Sequence, residues 1–129
     1  MPIGRCDYSD ICVFSFHPVK IITTAEGGIA TTNDPELAAR LELLRSHGIT
    51  RDERLFRYPS DGPWYYEQID LGFNFRMTDL QAALGLSQCN RLEEFINARH
   101  AVAERYDSRL ARLPLRTPVQ SNYARSAYH

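Results

Sequence analysis

The stretch Asp10-Ile11-Cys12-Val13-Phe14-Ser15-Phe16-His17-Pro18-Val19-Lys20-Ile21-Ile22-Thr23-Thr24-Ala25-Glu26-Gly27-Gly28 breaks an apolar strand into a turn and puts a lysine in that turn. It is the one lysine of a 129-residue chain that carries fourteen arginines. Arginine cannot serve where an amine has to lose its proton and attack a carbonyl, because the guanidinium stays charged. One lysine at a strand-to-turn junction points to covalent chemistry. The plain alternative is an arginine-rich composition that leaves a single solvated lysine in a loop.

Outward from the lysine, Ile11 to Phe16 reads as a nearly continuous apolar strand, expected to be covered on both faces. Ile29 to Thr32 is a second strand, close enough in sequence to be its antiparallel neighbour. Gly27-Gly28 lets the chain bend past the turn, and a lone Gly-Gly is a weak phosphate signal. Asn33-Asp34-Pro35-Glu36 starts a helix, with Asp34 as N-cap, Pro35 in the first turn and Glu36 favoured by the dipole. Leu37, Leu41 and Leu44 form its apolar stripe, and Gly48 ends it after Ser46-His47.

Residues 49–63 are polar, contain Pro59 and Asp61-Gly62-Pro63, and read as a long loop. A short extended segment follows over Trp64 to Ile69. Thr78-Asp79-Leu80-Gln81 is a capping box. It opens a helical stretch that bends near Cys89-Asn90, continues through Leu92, Phe95, Ile96, Ala103, Tyr106 and Leu110 to Leu113, and stops at Pro114. Such a stretch spans roughly 50 Å at the standard rise, which suits a spine between two bodies. Its charges from Arg91 to Arg112 read as a solvated face. The tail ends at Ser126-Ala127-Tyr128-His129 without a closing element, and the strands are too few for a complete α/β domain. The expectation is a piece of something larger.

Composition narrows the classes. The chain is 43% hydrophobic and 24% charged, with a net charge of −1. That balance offers no basic field for nucleic acid and no polybasic patch for a membrane surface. No apolar run approaches the roughly 18 residues that span a bilayer, and Met1 to Arg5 lacks a secretory core. Cys6, Cys12 and Cys89 have neither metal-ligand nor redox spacing, which leads to the expectation of a reducing cytoplasm and no metal.

Four ordered blocks carry a family resemblance: Phe14-Ser15-Phe16-His17-Pro18-Val19-Lys20 with Thr24-Ala25-Glu26-Gly27-Gly28; Leu44-Arg45-Ser46-His47-Gly48; Leu71-Gly72-Phe73-Asn74-Phe75-Arg76-Met77-Thr78-Asp79; and Gln81-Ala82-Ala83-Leu84-Gly85. Together they resemble the DegT/DnrJ/EryC1/StrS sugar aminotransferases. Gly62-Pro63-Trp64-Tyr65-Tyr66-Glu67 is most similar to members that form 4-amino-4,6-dideoxy UDP-sugars on the route to pseudaminic acid.

The resemblance implies part of a fold-type I, α/β aminotransferase. Residues 1–76 would be the end of the large domain, 77–113 a linker helix region, and 114–129 the start of the small domain. It further implies pyridoxal phosphate (PLP) held covalently on Lys20, a nucleotide-sugar substrate, an amino-acid donor (glutamate) and a homodimer. The family's upstream phosphate-binding turn, ring-stacking aromatic and pyridine-nitrogen aspartate are absent from the chain.

Carried over residue by residue, Lys20 is the catalytic and cofactor-binding amine, which needs to be neutral for part of the cycle. Ser15 contacts the cofactor phosphate. Asn74 donates an amide to that phosphate from the neighbouring subunit, and Arg76 meets the nucleotide-sugar diphosphate, for which a guanidinium is suited. If the segment is extended, Asn74 and Arg76 share one side and Phe73 and Phe75 the other. His129 lies near the sugar-nucleotide pocket. His17, inside the motif, is assigned no chemistry, and the plain reading is that it shapes the turn. Trp64, Tyr65 and Tyr66 could stack on a sugar or base, or serve as core or dimer contacts. Two other readings remain: an inactive truncated piece or dimer-interaction module, and a PLP-dependent sugar dehydratase. Relatives of the latter type carry histidine where this chain has Lys20.

Overall fold

The computed structural model describes residues 2–129. In chain order it contains β1 (Cys12–Ser15), β2 (Gly28–Thr31), α1 (Pro35–Arg45), β3 (Ile49–Thr50), a 3-10 turn over Glu53–Leu55, β4 (Glu67–Gln68), α2 (Asp79–Cys89) and α3 (Leu92–Leu110). β1 and β2 are hydrogen-bonded neighbours in one two-stranded sheet. β3 and β4 form a second sheet, antiparallel, with Ile49 opposite Gln68 and Thr50 opposite Glu67. The contacts divide the chain into two compact units. One comprises Phe14–Ile29 with Thr78–His129, the other Pro2–Val13 with Ala30–Met77.

The helix starts follow their local chemistry. Asp34 is extended, and its carboxylate accepts from the backbone N–H groups of Glu36 and Leu37 at 2.8 and 3.2 Å, ahead of Pro35 in the first turn. Thr78 and Gln81 form a complete capping box at α2, with Thr78 Oγ1 accepting from Gln81 N and Gln81 Oε1 accepting from Thr78 N. Each device satisfies N–H groups that a helix start leaves without partners.

The end of α1 is less ordinary. Gly48 N–H donates to Leu43 C=O at 2.9 Å, the long-range bond of a Schellman stop. The companion bond is missing. Leu44 C=O instead accepts from Phe73 N–H, and His47 N–H donates to Phe73 C=O, both at 2.8 Å. Phe75 N–H adds a bond to Arg45 C=O, and Ser46 and Asn74 form an antiparallel bridge. Residues 73–75 are therefore docked as an extended segment on the open end of the helix. Close approach is possible only because two side chains are missing. A Cβ on Gly72 would stand 2.4 Å from Gly48 N, and one on Gly48 would stand 2.0 Å from Asp70 O.

Two expectations change. The helical stretch is not one spine: it breaks between α2 and α3, where Asn90 N–H bonds back to Leu86 and Gln88, and Arg91 leaves helical geometry at φ −109°, ψ 6°. Asparagine is a poor helix former, and Arg91 supplies no side-chain cap to the helix that restarts after it. The strand at Cys12–Ser15 alternates rather than being covered on both faces, with Val13 75% exposed. Among the described residues no apolar side chain is fully buried, and the stripe of Leu37, Leu41 and Leu44 is half-buried.

Residues 51–66 form a loop with internal order. Glu67, 9% exposed, accepts from Arg57 N–H at 2.8 Å, from Tyr58 N–H at 2.9 Å and from the Tyr65 hydroxyl at 2.8 Å. Phe56 and Tyr65 meet edge to face at 5.1 Å. A charged acceptor with three donors is held far more tightly than a neutral one, which is how a polar loop of this length keeps its shape.

Candidate active site

Lys20 sits in a turn whose neck is stitched at Phe16. Phe16 N–H donates to Gly27 C=O at 2.8 Å, while Phe16 C=O accepts from Thr24 N–H at 3.0 Å and from the Thr23 hydroxyl at 2.9 Å. Inside the neck, Lys20 N–H bonds to His17 C=O at 2.9 Å. His17 Nδ1 accepts from Val19 N–H at 3.4 Å, so this histidine folds the turn around itself. Thr24, 1% exposed, donates its hydroxyl to Glu26 C=O at 2.8 Å. α2 closes on this turn through a glycine: a Cβ on Gly85 would lie 2.8 Å from Thr24 Cγ2.

The side chain of Lys20 is half-buried, and its Nζ lies 2.8 Å from His129 Nε2, across 109 residues of sequence. Among the described residues no carboxylate comes within ion-pair distance of the amine. His129 is brought there by a tail laid along α3. Arg125 donates to Glu93 Oε2 at 2.9 Å and to Asn97 Oδ1 at 2.7 Å. His100 Nε2 bonds to Ser126 C=O at 2.8 Å, Arg99 donates to Tyr128 C=O, and the Tyr128 ring stands edge-on to His100 at 5.0 Å. Tyr128 itself is left-handed, with φ 50°.

The remaining residues singled out in the sequence fall as follows. Ser15 closes β1 five positions before the lysine, is exposed, and its Oγ accepts a long 3.4 Å bond from His17 N–H, leaving its proton uncommitted. Asn74 and Arg76 belong to the other unit and are exposed, their side chains free of hydrogen-bond partners among the described residues. Phe73 and Phe75 stack at 4.9 Å with planes 6° apart, as two rings on one side of an extended segment can. Thus Lys20 and His129 meet, Ser15 precedes their turn, and Asn74 and Arg76 are carried by the other unit.

Arg99, His100 and Arg125 went unread in the sequence, where the α3 charges pass for a solvated face. The signal was there: the half-buried stripe Leu92, Phe95, Ile96, Ala103 runs with helical period through positions 99 and 100. No three His, Cys, Asp or Glu side chains cluster to hold a metal among the described residues, and no helix there is long and apolar enough to cross a membrane.

The donor set suits pyridoxal phosphate. The aldehyde needs a primary amine that is not locked in an ion pair, and the phosphate needs uncommitted hydroxyl and amide donors. Within one unit, Lys20 offers an amine of that kind and Ser15 a hydroxyl of that kind.

Residues 3–129 match the DegT/DnrJ/EryC1/StrS aminotransferase family. The chain belongs to that family. Its members are PLP-dependent sugar aminotransferases of fold-type I. The chain is 46% identical over 104 residues to GDP-perosamine synthase of Caulobacter vibrioides, covering 81% of this chain and 25% of that protein. It is 36% identical over 122 residues to a UDP-4-amino-4,6-dideoxy-N-acetyl-beta-L-altrosamine transaminase of Campylobacter jejuni, covering 94% of this chain and 30% of the relative. Among solved structures it superposes on Helicobacter pylori PseC, an aminotransferase involved in the biosynthesis of pseudoaminic acid, with a TM-score of 0.74 and 38% identity, covering 86% of this chain and 28% of that one. The chain spans about 30% of the length of the curated relatives it matches.

Proposed function

We propose that this chain is the lysine-bearing part of a homodimeric, cytoplasmic, PLP-dependent aminotransferase acting on a nucleotide-linked 4-keto-6-deoxy sugar, with a UDP-sugar as substrate and glutamate as donor. Residues 1–76 belong to its large domain, 77–113 to the helical link, and 114–129 to the start of the small domain. The observation that carries the reading is the single lysine, half-buried in a stitched turn, with its amine clear of carboxylates. The relatives divide over the nucleotide, one named for GDP-perosamine and one for a UDP-sugar. The Gly62–Glu67 pattern favours UDP.

The bound coenzyme supplies the electron sink for a substrate carbanion. The chain's own groups do the rest. Lys20 Nζ holds the coenzyme covalently and, once released, carries the proton across the reacting face. Ser15 Oγ and the Asn74 amide bind its phosphate, Asn74 reaching a neighbouring subunit. Arg76 pairs with the diphosphate of the sugar nucleotide.

The test uses the full-length enzyme containing this chain, loaded with PLP and treated with borohydride, which locks the coenzyme onto its amine. Peptide mapping is expected to find it on Lys20, and Lys20→Arg to lose it entirely despite keeping the charge. Coenzyme trapped on another side chain, or on none, overturns the reading. Turnover with GDP-sugars and not UDP-sugars overturns the nucleotide assignment alone. With so much apolar surface uncovered, the 129-residue chain by itself is expected to have little transaminase activity.

A further inference from the structure

We infer that His129 acts on the Lys20 amine rather than on the substrate, and that α3 and residues 125–129 form a clasp whose positioning residues are Arg99, His100 and Arg125. The inference rests on the PLP-lysine reading above and adds a second group at the reacting atom.

The geometry builds the clasp from α3 outward. Glu93 and Asn97, one turn apart, receive the two terminal nitrogens of Arg125 and fix where the tail begins. His100, a turn further on, holds Ser126 C=O, and since a carbonyl only accepts, its Nε2 carries the proton. Arg99 then takes Tyr128 C=O, the residue where the backbone turns left-handed. A tyrosine does not adopt φ 50° freely; such conformations persist where the surroundings over-determine them. Here a guanidinium on its carbonyl, the ring edge on His100 and a bond from its own N–H to Ser126 Oγ at 3.1 Å all hold it. The turn at Tyr128 aims the next side chain, His129, at Lys20 Nζ, 2.8 Å away.

A substrate contact would not require that aim. The pair consists of an amine and an imidazole within hydrogen-bond reach, so Nε2 can receive a proton from the lysine nitrogen or return one to it. It also fixes the direction of a long, flexible side chain, which favours a reactive alignment of its amine. Each transfer is a simple exchange: one N–H bond breaks at Nζ and one forms at Nε2, or the reverse.

The two roles for His129 separate experimentally in the full-length enzyme. If His129 serves the amine, His129→Ala slows covalent capture of PLP by the apoenzyme, followed by borohydride trapping against time, and lowers kcat by roughly 10²-fold while KM for the nucleotide sugar holds. Arg99→Ala and Arg125→Ala slow capture in the same way, by roughly tenfold or more, and Arg125→Lys recovers part of it. If His129 serves the substrate, KM rises, capture keeps its rate, and the inference is overturned. His129→Gln guards against misfolding, since its amide keeps a polar partner beside Nζ: it should recover part of the capture rate, and a rate no better than that of the alanine variant counts against the inference. Capture on a residue other than Lys20 in the wild type defeats the PLP-lysine reading itself, a different failure from unchanged capture in His129→Ala.

Discussion

The lysine turn and the Asn74 strand solve the same problem by opposite means. Each has to bring a side chain to a fixed place from a distant part of the sequence. The lysine turn does it with groups that are present: the Thr23 hydroxyl and the Thr24 amide on Phe16, a histidine folded into the turn, and a clasp made by Arg99 and His100 of α3 with Arg125 of the tail. The Asn74 strand does it with groups that are absent, Gly48 and Gly72, which let backbone meet backbone at the end of α1. A device made of side chains can be adjusted by changing another side chain. One made of their absence cannot.

The sharpest break in that comparison is Gly72→Ala. The new methyl would face Gly48 N, Leu44 O and His47 C at 2.4, 2.6 and 2.7 Å, all of them backbone. We expect a loss of about 1–3 kcal/mol, read as a lowered unfolding midpoint, with no side-chain substitution nearby able to restore it.

Gly85→Ala sets the same methyl against a side chain. The obstacle is Thr24 Cγ2 at 2.8 Å, while alanine in a helix interior recovers about 1 kcal/mol over glycine. The net change should be smaller than that of Gly72→Ala, and Thr24→Ser, which deletes the offending methyl and keeps the hydroxyl, should relieve it. A double-mutant cycle with no coupling between positions 24 and 85 would break the contrast.

The smallest expected effect concerns the 51–66 loop. Arg54 beside Asp52 holds that carboxyl down at about 2, from an ordinary 3.8. For Glu67 burial is the largest influence and pushes upward, but the Arg57 N–H, the Tyr65 hydroxyl and the Tyr58 N–H together outweigh it and leave the carboxyl lowered. Lowered carboxylates stabilise the loop above their ordinary values and lose that contribution as pH falls through their folded ones. Tyr65 is raised, chiefly by its bond to Glu67, so its contribution is complete below its ordinary value and disappears as pH climbs through the folded one. Hydrogen exchange at the Arg57 and Tyr58 amides should therefore lose protection in acid, and Glu67→Gln should reduce that protection at neutral pH.

What could be read in the sequence was local. The Asp34 cap, the Thr78–Gln81 capping box and the strand-turn-strand around Lys20 each lie within a few residues, where propensity and hydrogen bonding speak without help from tertiary contacts. The alternation at Phe73 to Arg76 was legible for the same reason. The clasp was not. Arg99 and His100 bond to residues 29 and 26 positions away, and a charge on a helix looks the same whether it faces water or a returning tail. Glu67 was hidden among three aromatics, with its partners nine and ten residues upstream. The break at Asn90-Arg91 was anticipated as a bend, but whether a helix bends or stops is decided by a single residue's torsions.

The open end of α1 carries one more implication. A helix terminus usually spends its last donors and acceptors on itself; this one reserves an amide at His47 and a carbonyl at Leu44 for a visitor from residue 73. The docking address is thus written upstream and is indifferent to the path taken between. Lengthening the intervening excursion costs only about 0.6 kcal/mol per doubling in closure entropy. The excursion between them can therefore grow or shrink at little cost, while the Ser46–Asn74 bridge keeps the returning strand in the same berth.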